Sequence, residues 1–325
     1  MTQRIAHFSD THVLSLKGVQ LRELLNKRIT GAVNLALNRA KHYRVEVFEQ
    51  LLDAVVAVQP DHSICTGDLV NLALTPEFVR VHELLSERFE PHQLTLVPGN
   101  HDYYTKEASL AGRFEEYFDE YLPHDLDELL ASSSSEEQRS ITAQAHGEDD
   151  QRRCYPVTRV LDEVCIIGLS TAIPTASFMA TGEVGVPQRG RLMEVLNAPH
   201  HAEKFKLLML HHPLFPEPKR RLDVTRRLYD ASELIELLDH TEDDSSKSLV
   251  DLIVHGHNHE FKRQALPQTQ TPVIQVASAS HAGKHRAEFH IYVVEDGELH
   301  SIERHIHSPD EGRFIPCDEQ GEPLI

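Results

Sequence analysis

The 325-residue chain has no tryptophan, 6% aromatic residues and only four cysteines. None of Cys65, Cys154, Cys165 and Cys317 stands in C-x-x-C spacing, which excludes a thiolate zinc knuckle and gives no framework for disulfides. Cys65 and Cys165 fall inside apolar runs, where a cysteine reads as a small buried hydrophobe, and a reducing cytoplasm is the expected compartment. No stretch reaches the roughly 18 consecutive apolar residues of a membrane-spanning helix. The start of the chain, Met1 to Asp10, carries no apolar signal region. Basic residues are also scarce, 32 Lys and Arg against 51 Asp and Glu, for a net charge of −19. A nucleic-acid partner is not expected of a chain without a basic footprint.

What is present is a 40% apolar content, ample for a core at this length. A single domain over 1–325 is expected. The charge is uneven: Glu115 to Asp150 holds twelve acidic residues and one basic, whereas Lys17 to Arg44 holds seven Lys or Arg opposed only by Glu23. The stretch from Ser132 to Asp150 has few apolar anchors. It reads as part of a mobile acidic insertion over about 115–153, either without a role or serving as a lid.

Arg4 to Ser9 is a short apolar strand ending in Asp10-Thr11-His12. Leu21, Leu24, Leu25, Ile29, Val33 and Leu37 fall at helical spacing over 21–40, and Val45 to Val58 is a second amphipathic helix. Asp61-His-Ser-Ile-Cys-Thr-Gly-Asp68 repeats the first pattern, an apolar strand followed by Gly and a carboxylate. Thr75 is placed as the N-cap of a helix reaching Phe89, with Pro76 at its first position. Leu94 to Val97 is a third strand and ends in Pro98-Gly99-Asn100-His101-Asp102. Such strand–helix units in series indicate an α/β sheet, whose ligands sit beyond the strand carboxyl ends. Glu107 to Tyr121 reads as one helix. Tyr155 to Leu161 and Val164 to Leu169 form a hairpin around Asp162-Glu163. Lys206 to Leu210 runs into His211-His212-Pro213, and Leu249 to Val254 into His255-Gly256-His257-Asn258-His259. Three tail strands without helices between them (272–277, 288–294, 298–305) suggest an antiparallel portion.

Each polar cluster alone is a plausible turn. Taken together, five strand ends carry Asp10, His12, Asp68, Asn100, His211, His257 and His259. All are nitrogen or oxygen donors, a set suited to Mn, Fe or Zn. Seven are too many for one ion and suit two if one carboxylate bridges, and Asp68 stands between the two groups in sequence. His212 and His255 neighbour these positions and read as packing or supporting residues.

The blocks Asp10-x-His12, Gly67-Asp68, Gly99-Asn100-His101-Asp102, His211-x-Pro213 and Gly256-His257-x-His259 resemble, in order, the calcineurin-like metallophosphoesterase superfamily. The resemblance implies a four-layer α/β/β/α sandwich with a dinuclear metal site at the strand C-terminal ends. It implies one metal on Asp10, His12, Asp68 and His259, and the other on Asp68, Asn100, His211 and His257. It implies that His101 is the acid or transition-state donor, with Asp102 orienting it. Phosphoester hydrolysis by in-line attack of a metal-bridging hydroxide follows, with a small phosphoester as substrate.

The compact Gly-His-Asn-His ending is most similar to the bacterial cyclic-nucleotide phosphodiesterase branch, so a phosphodiester is the first expectation. The alternative is a pyrophosphatase acting on a nucleotide-linked lipid precursor. For that reading the basic amphipathic 17–44 segment, with Lys27, Arg28, Arg39, Lys41 and Arg44, would touch an anionic membrane. An ordinary surface helix fits the same pattern. A non-catalytic scaffold on the same fold would be expected to lose donors, and none is missing.

Overall fold

The computed structural model describes residues 1–17, 19, 43–125, 154–176, 178–199, 203–216, 223–239, 248–283 and 286–324. The expected helix over 21–40 lies outside these residues, as does most of the acidic insertion, from 126 to 153.

Strands β1 (Thr2–Phe8), β2 (His62–Cys65) and β3 (Leu94–Leu96) come first. Then follow β4 (Val157–Val160), β5 (Val164–Gly168), β6 (Phe205–Met209), β7 (Leu252–His255), β8 (Lys262–Ala265) and β9 (Pro272–Gln275). The last three are β10 (Glu288–Glu295), β11 (Glu298–Ser308) and β12 (Arg313–Cys317). The helices are α1 (Val45–Val58), α2 (Thr75–Ser86), α3 (Lys106–Leu110), α4 (Arg113–Phe118), α5 (Val186–Leu196) and α6 (Ala231–Leu238). The strands make two six-stranded sheets, ordered β12-β11-β10-β1-β2-β3 and β4-β5-β6-β7-β9-β8.

Strand alternation builds the layers. In the second sheet Val164, Ile166, Leu207 and Met209 join the core shared with the first sheet, which includes Phe8 and Ile64. The alternate residues Cys165, Ile167, Leu208 and Leu210 pack outward on Leu192 and Val195 of α5 and on Leu234 and Leu238 of α6. On the other side α1 lies against β10 and β12. It buries Val47, Phe48, Leu51, Leu52 and Val55, worth on the order of 10 kcal/mol before the cost of ordering the helix. Helix, sheet, sheet, helix is the four-layer α/β/β/α order.

In the first sheet β1, β2 and β3 are parallel, and in the second β5, β6, β7 and β9 are. All the strand ends in question are therefore carboxyl ends. The far tail returns: β10 pairs antiparallel with β1, from Thr2 opposite Glu295 to His7 opposite His290. Beyond that ladder the Ala279 N–H donates to the Ser9 carbonyl (2.8 Å) and the Ser278 hydroxyl to the Asp10 carbonyl (2.7 Å). The tail is antiparallel as expected, except that β9 pairs parallel with β7. Strands β8 and β12 had no counterpart in the sequence reading.

Three local expectations are corrected. Helix α2 begins at Thr75 rather than after it. The Glu77 carboxylate reaches back to the N–H groups of Leu72 (2.9 Å) and Leu74 (3.0 Å) and does the capping. The helix expected over 107–121 is broken at Gly112, whose φ of 59° ends α3 and starts α4. The first residues of the acidic stretch are core, not insertion. Phe114, Phe118 and Tyr121 are fully buried, and Glu115 takes hydrogen bonds from the Tyr103 and Tyr155 hydroxyls. All four cysteines are free, with Cys65 and Cys165 buried. No helix among the described residues is long and apolar enough to cross a membrane.

Candidate metal centre

The turns after β1, β2 and β7 carry their polar residues in an uncommon backbone state. Asp10, His12, Asp68, His257 and His259 have φ of 55°, 46°, 54°, 76° and 60°. A non-glycine residue in the left-handed region costs roughly 1–3 kcal/mol and persists only where its surroundings hold it there. Glycines let these turns close on one another. A side chain at Gly99 would strike the Asp68 carboxylate, and one at Gly256 would strike Ser9 and the Asp10 carboxylate.

The result is a buried cluster of nitrogens and oxygens drawn from both sheets. His259 Nε2 lies 3.0 Å from Asp10 Oδ1 and 3.1 Å from His12 Nε2. His211 Nε2 lies 3.4 Å from Asp68 Oδ2 and 3.1 Å from His257 Nδ1. Four groups have donor atoms all within 4.8 Å of one another: Asp10, His12 and His259; His12, Asp68 and His101; Asp10, Asp68 and His211; and His211, His212 and His257. Asp68 belongs to groups reaching both His12 and His211, the position a bridging carboxylate needs. Asn100 is buried, and its Oδ1 has no hydrogen-bond partner among the described residues. A buried orphan amide oxygen is costly unless something electropositive faces it. A pair of borderline cations fits the oxygen and imidazole donors together with that oxygen.

Charge in the cluster is strongly coupled. Burial alone would raise the Asp10 and Asp68 carboxyls. For Asp10 the facing His259 and His211 outweigh it, and for Asp68 His211 and His101 do, so both are held well below the usual carboxylate range. Burial would lower His211, yet Asp68 and Asp10 raise it to about 9. His257 is driven well down by burial and by His212 and Arg226. A proton on His211 and a cation between these carboxylates compete for the same electrons.

The expectation for Asp102 is corrected. His101 Nδ1 pairs with the Asn71 carbonyl at 2.7 Å. The Asp102 carboxylate instead accepts from the Gly99 N–H (2.8 Å) and the Val70 N–H (3.1 Å). It ties the β3 turn to the segment after β2 and is itself pushed up to about 8 by burial and by Asp68. Asn71 therefore takes the orienting place expected of Asp102. Asn71 also donates through Nδ2 to the His12 carbonyl. The His101 N–H donates to Asp68 Oδ1 (2.7 Å), so this turn and the Asp68 carboxylate are tied directly.

Two further residues join the site that spacing did not single out. Tyr43, next to α1, meets His259 Nδ1 through its hydroxyl at 2.8 Å and stands edge-on to His12 with ring centroids 4.8 Å apart. Tyr104 stacks on His101 at 5.4 Å. A Tyr-Tyr pair following Gly-Asn-His-Asp is visible in the sequence at 103–104, but nothing in a linear pattern brings Tyr43 here. His255, by contrast, turns its Nδ1 to the Gly256 carbonyl (3.1 Å), in keeping with a packing role.

Comparison with solved structures places this geometry among known folds. A dimetal phosphatase from Danio rerio is 11% identical, with a TM-score of 0.54 over 97% of this chain and 98% of that one. A purple acid phosphatase from yellow lupin (Lupinus luteus) seeds is 12% identical, with a TM-score of 0.53 over 97% of this chain and 53% of its own. At these identities the likeness is one of fold. No curated protein sequence matches. The family model of the calcineurin-like phosphoesterases matches residues 3–261, from β1 past the last of the histidine donors. With that match over most of its length, this chain belongs to the calcineurin-like phosphoesterase family.

Proposed function

We propose that the chain is a phosphodiesterase, cleaving a small diester of the cyclic-nucleotide kind. Two cations on Asp10, His12, Asp68 and His259, and on Asp68, Asn100, His211 and His257, would supply a lowered water pKa and Lewis-acid polarisation of the phosphoryl group. The chain's own residues do the rest. The Asn71 carbonyl accepts from His101 Nδ1–H, which fixes the tautomer and makes Nε2 the nitrogen that gains and gives a proton. Nε2 is thereby the atom that delivers a proton to a departing alkoxide, and it lies on the ring that groups with His12 and Asp68.

The observation that supports the diester reading is a set of aromatic rings beside the donors among the described residues. Tyr43, Tyr104 and His281 adjoin the donors, Tyr43 and His281 meeting edge-on at 5.4 Å. Such rings offer a stacking face to the base of a cyclic nucleotide. The lipid pyrophosphatase reading has one observation of its own: Tyr43, at the end of the basic 17–44 segment, bonds a residue of the site.

The test is hydrolysis of bis(p-nitrophenyl) phosphate against p-nitrophenyl phosphate, metal-stripped and then with added Mn²⁺. Faster cleavage of the diester is expected. Preference for the monoester would overturn the proposal. Silence on both with Mn²⁺ bound would favour the pyrophosphate reading.

A further inference from the structure

A small cavity of about 150 Å³ adjoins the centre at His259. The chain runs from that donor straight into the cavity wall, since Glu260 and Phe261 come next, and Arg286, Glu288, Arg304 and Ile306 face them from the first sheet and the segment leading into it.

Part of this lining is closed on itself. The Glu288 carboxylate is 3% exposed and pairs with His290 Nε2 at 2.6 Å. It also accepts from Arg304 Nε (3.3 Å) and Nη2 (2.7 Å). The Arg304 guanidinium lies over the Phe261 ring, 4.0 Å from its centroid. This ion pair is thereby matched and fixed, with Phe261 and Ile306 as apolar surface beside it. Glu260, half-buried, and Arg286, exposed, are different. They line the same cavity, yet they do not pair with each other, and neither forms an ion pair with any other described residue.

An unpaired carboxylate and guanidinium round one small space leave an acceptor and a set of donors for a third party. The two acids and two bases of the lining cancel, so the space selects neither a phosphate nor a carboxylate. Sites for drug-sized ligands run to about 300–1,000 Å³. This one has room for a single ring system and none for an acyl chain.

We infer that the cavity is a base subsite: it takes the edge of a nucleobase whose exocyclic amine donates to Glu260 and whose ring nitrogen accepts from Arg286. Adenine carries that edge at N6 and N7. The inference rests on the diesterase reading, and it gives the choice of base to two residues outside the donor set.

Three substrates test it with Mn²⁺: 3′,5′-cyclic AMP, the cyclic monophosphate of purine riboside, which lacks only the amine, and bis(p-nitrophenyl) phosphate as the base-free reference. The wild-type protein should favour cyclic AMP over the deamino analogue by about 10–100-fold in kcat/KM. Glu260→Ala should erase that preference, and Glu260→Gln, which keeps an acceptor, should restore most of it. Arg286→Ala should lower kcat/KM for both nucleotides relative to the reference by about tenfold, chiefly through KM. Melting temperatures show that the variants are folded. Equal use of the two nucleotides by the wild-type protein, a preference that survives Glu260→Ala, or cleavage of the reference with neither nucleotide turned over would overturn the inference alone. Preference for p-nitrophenyl phosphate over the reference would overturn the diesterase reading and the inference with it.

Discussion

Replacing Asp102 with asparagine separates the two roles that an aspartate after Gly-Asn-His can play. In the wild-type turn both carboxylate oxygens accept backbone N–H groups, from Gly99 at 2.8 Å and Val70 at 3.1 Å, in a fully buried setting. An asparagine keeps one acceptor and turns an NH₂ toward the other N–H. Burial and Asp68 push that carboxyl up to about 8, so at neutral pH it accepts largely as an uncharged group, and the asparagine leaves one buried N–H without a partner, costing about 1–3 kcal/mol. That loss, about 1–3 kcal/mol, is a sizeable share of the stability of a domain. His101 Nδ1 keeps its Asn71 carbonyl. Urea unfolding of the metal-free protein should therefore show the full loss, while the pH–rate profile of whatever activity survives keeps its limbs where they were. An unchanged urea midpoint together with a displaced limb would refute this, because it would mean that Asp102 acts on His101 itself.

The other expectations are direct. His62 is held at about 3, by burial first and by Arg159 second, so the folded state keeps it neutral. Its unfolded value lies near 6.5, so this contribution is complete above that pH and is lost as pH falls toward 3, at about 1.4 kcal/mol per unit. His62→Gln should flatten the decline in urea midpoint between pH 6 and pH 4, and an unaltered slope would count against it. Asp68→Asn should weaken both Mn²⁺ equivalents in calorimetry, and loss of only one would show that the carboxylate does not bridge. His101→Ala should retain metal while turnover falls by about a hundredfold or more, and metal loss would reassign the residue. Tyr43→Phe removes only the hydroxyl on His259 Nδ1 and should cost about tenfold in affinity for one equivalent, read by titration against wild type.

The donor set was legible because each member announces itself locally. An apolar run followed by Gly-Asp, Gly-Asn-His-Asp or Gly-His-x-His marks a strand that stops where polar groups must gather, and period-2 strands orient those ends alike. Partners supplied by the backbone are not written that way. The Asn71 carbonyl that orients His101 belongs to a different turn, and any residue there would offer the same oxygen. The adjacent Asp102 was the natural guess, yet its carboxylate serves two N–H groups that no side-chain pattern encodes. Tyr43 was hidden for a related reason, since it reaches the site through neighbours distant in sequence. In α3 and α4 the apolar period ran on through Gly112, and only the positive φ at that glycine divides it. The acidic count from Glu115 onward likewise concealed that Phe114, Phe118 and Tyr121 anchor its first turns in the core.

The return of β10 to the flank of β1 has a consequence for how the molecule comes into being. Asp10 and His12 are made long before Glu288–Glu295, and the strand that carries them lacks one neighbour until that segment exists. The contacts from Ser278 and Ala279 that hold the Ser9–Asp10 turn also come late. A nascent chain that has produced every histidine of the centre therefore still cannot hold the first turn in place. Such long-range closure folds slowly. A polypeptide stopped just after residue 261 would contain the whole region matched by the family model and every donor, yet would lack the strand that sets the first of them.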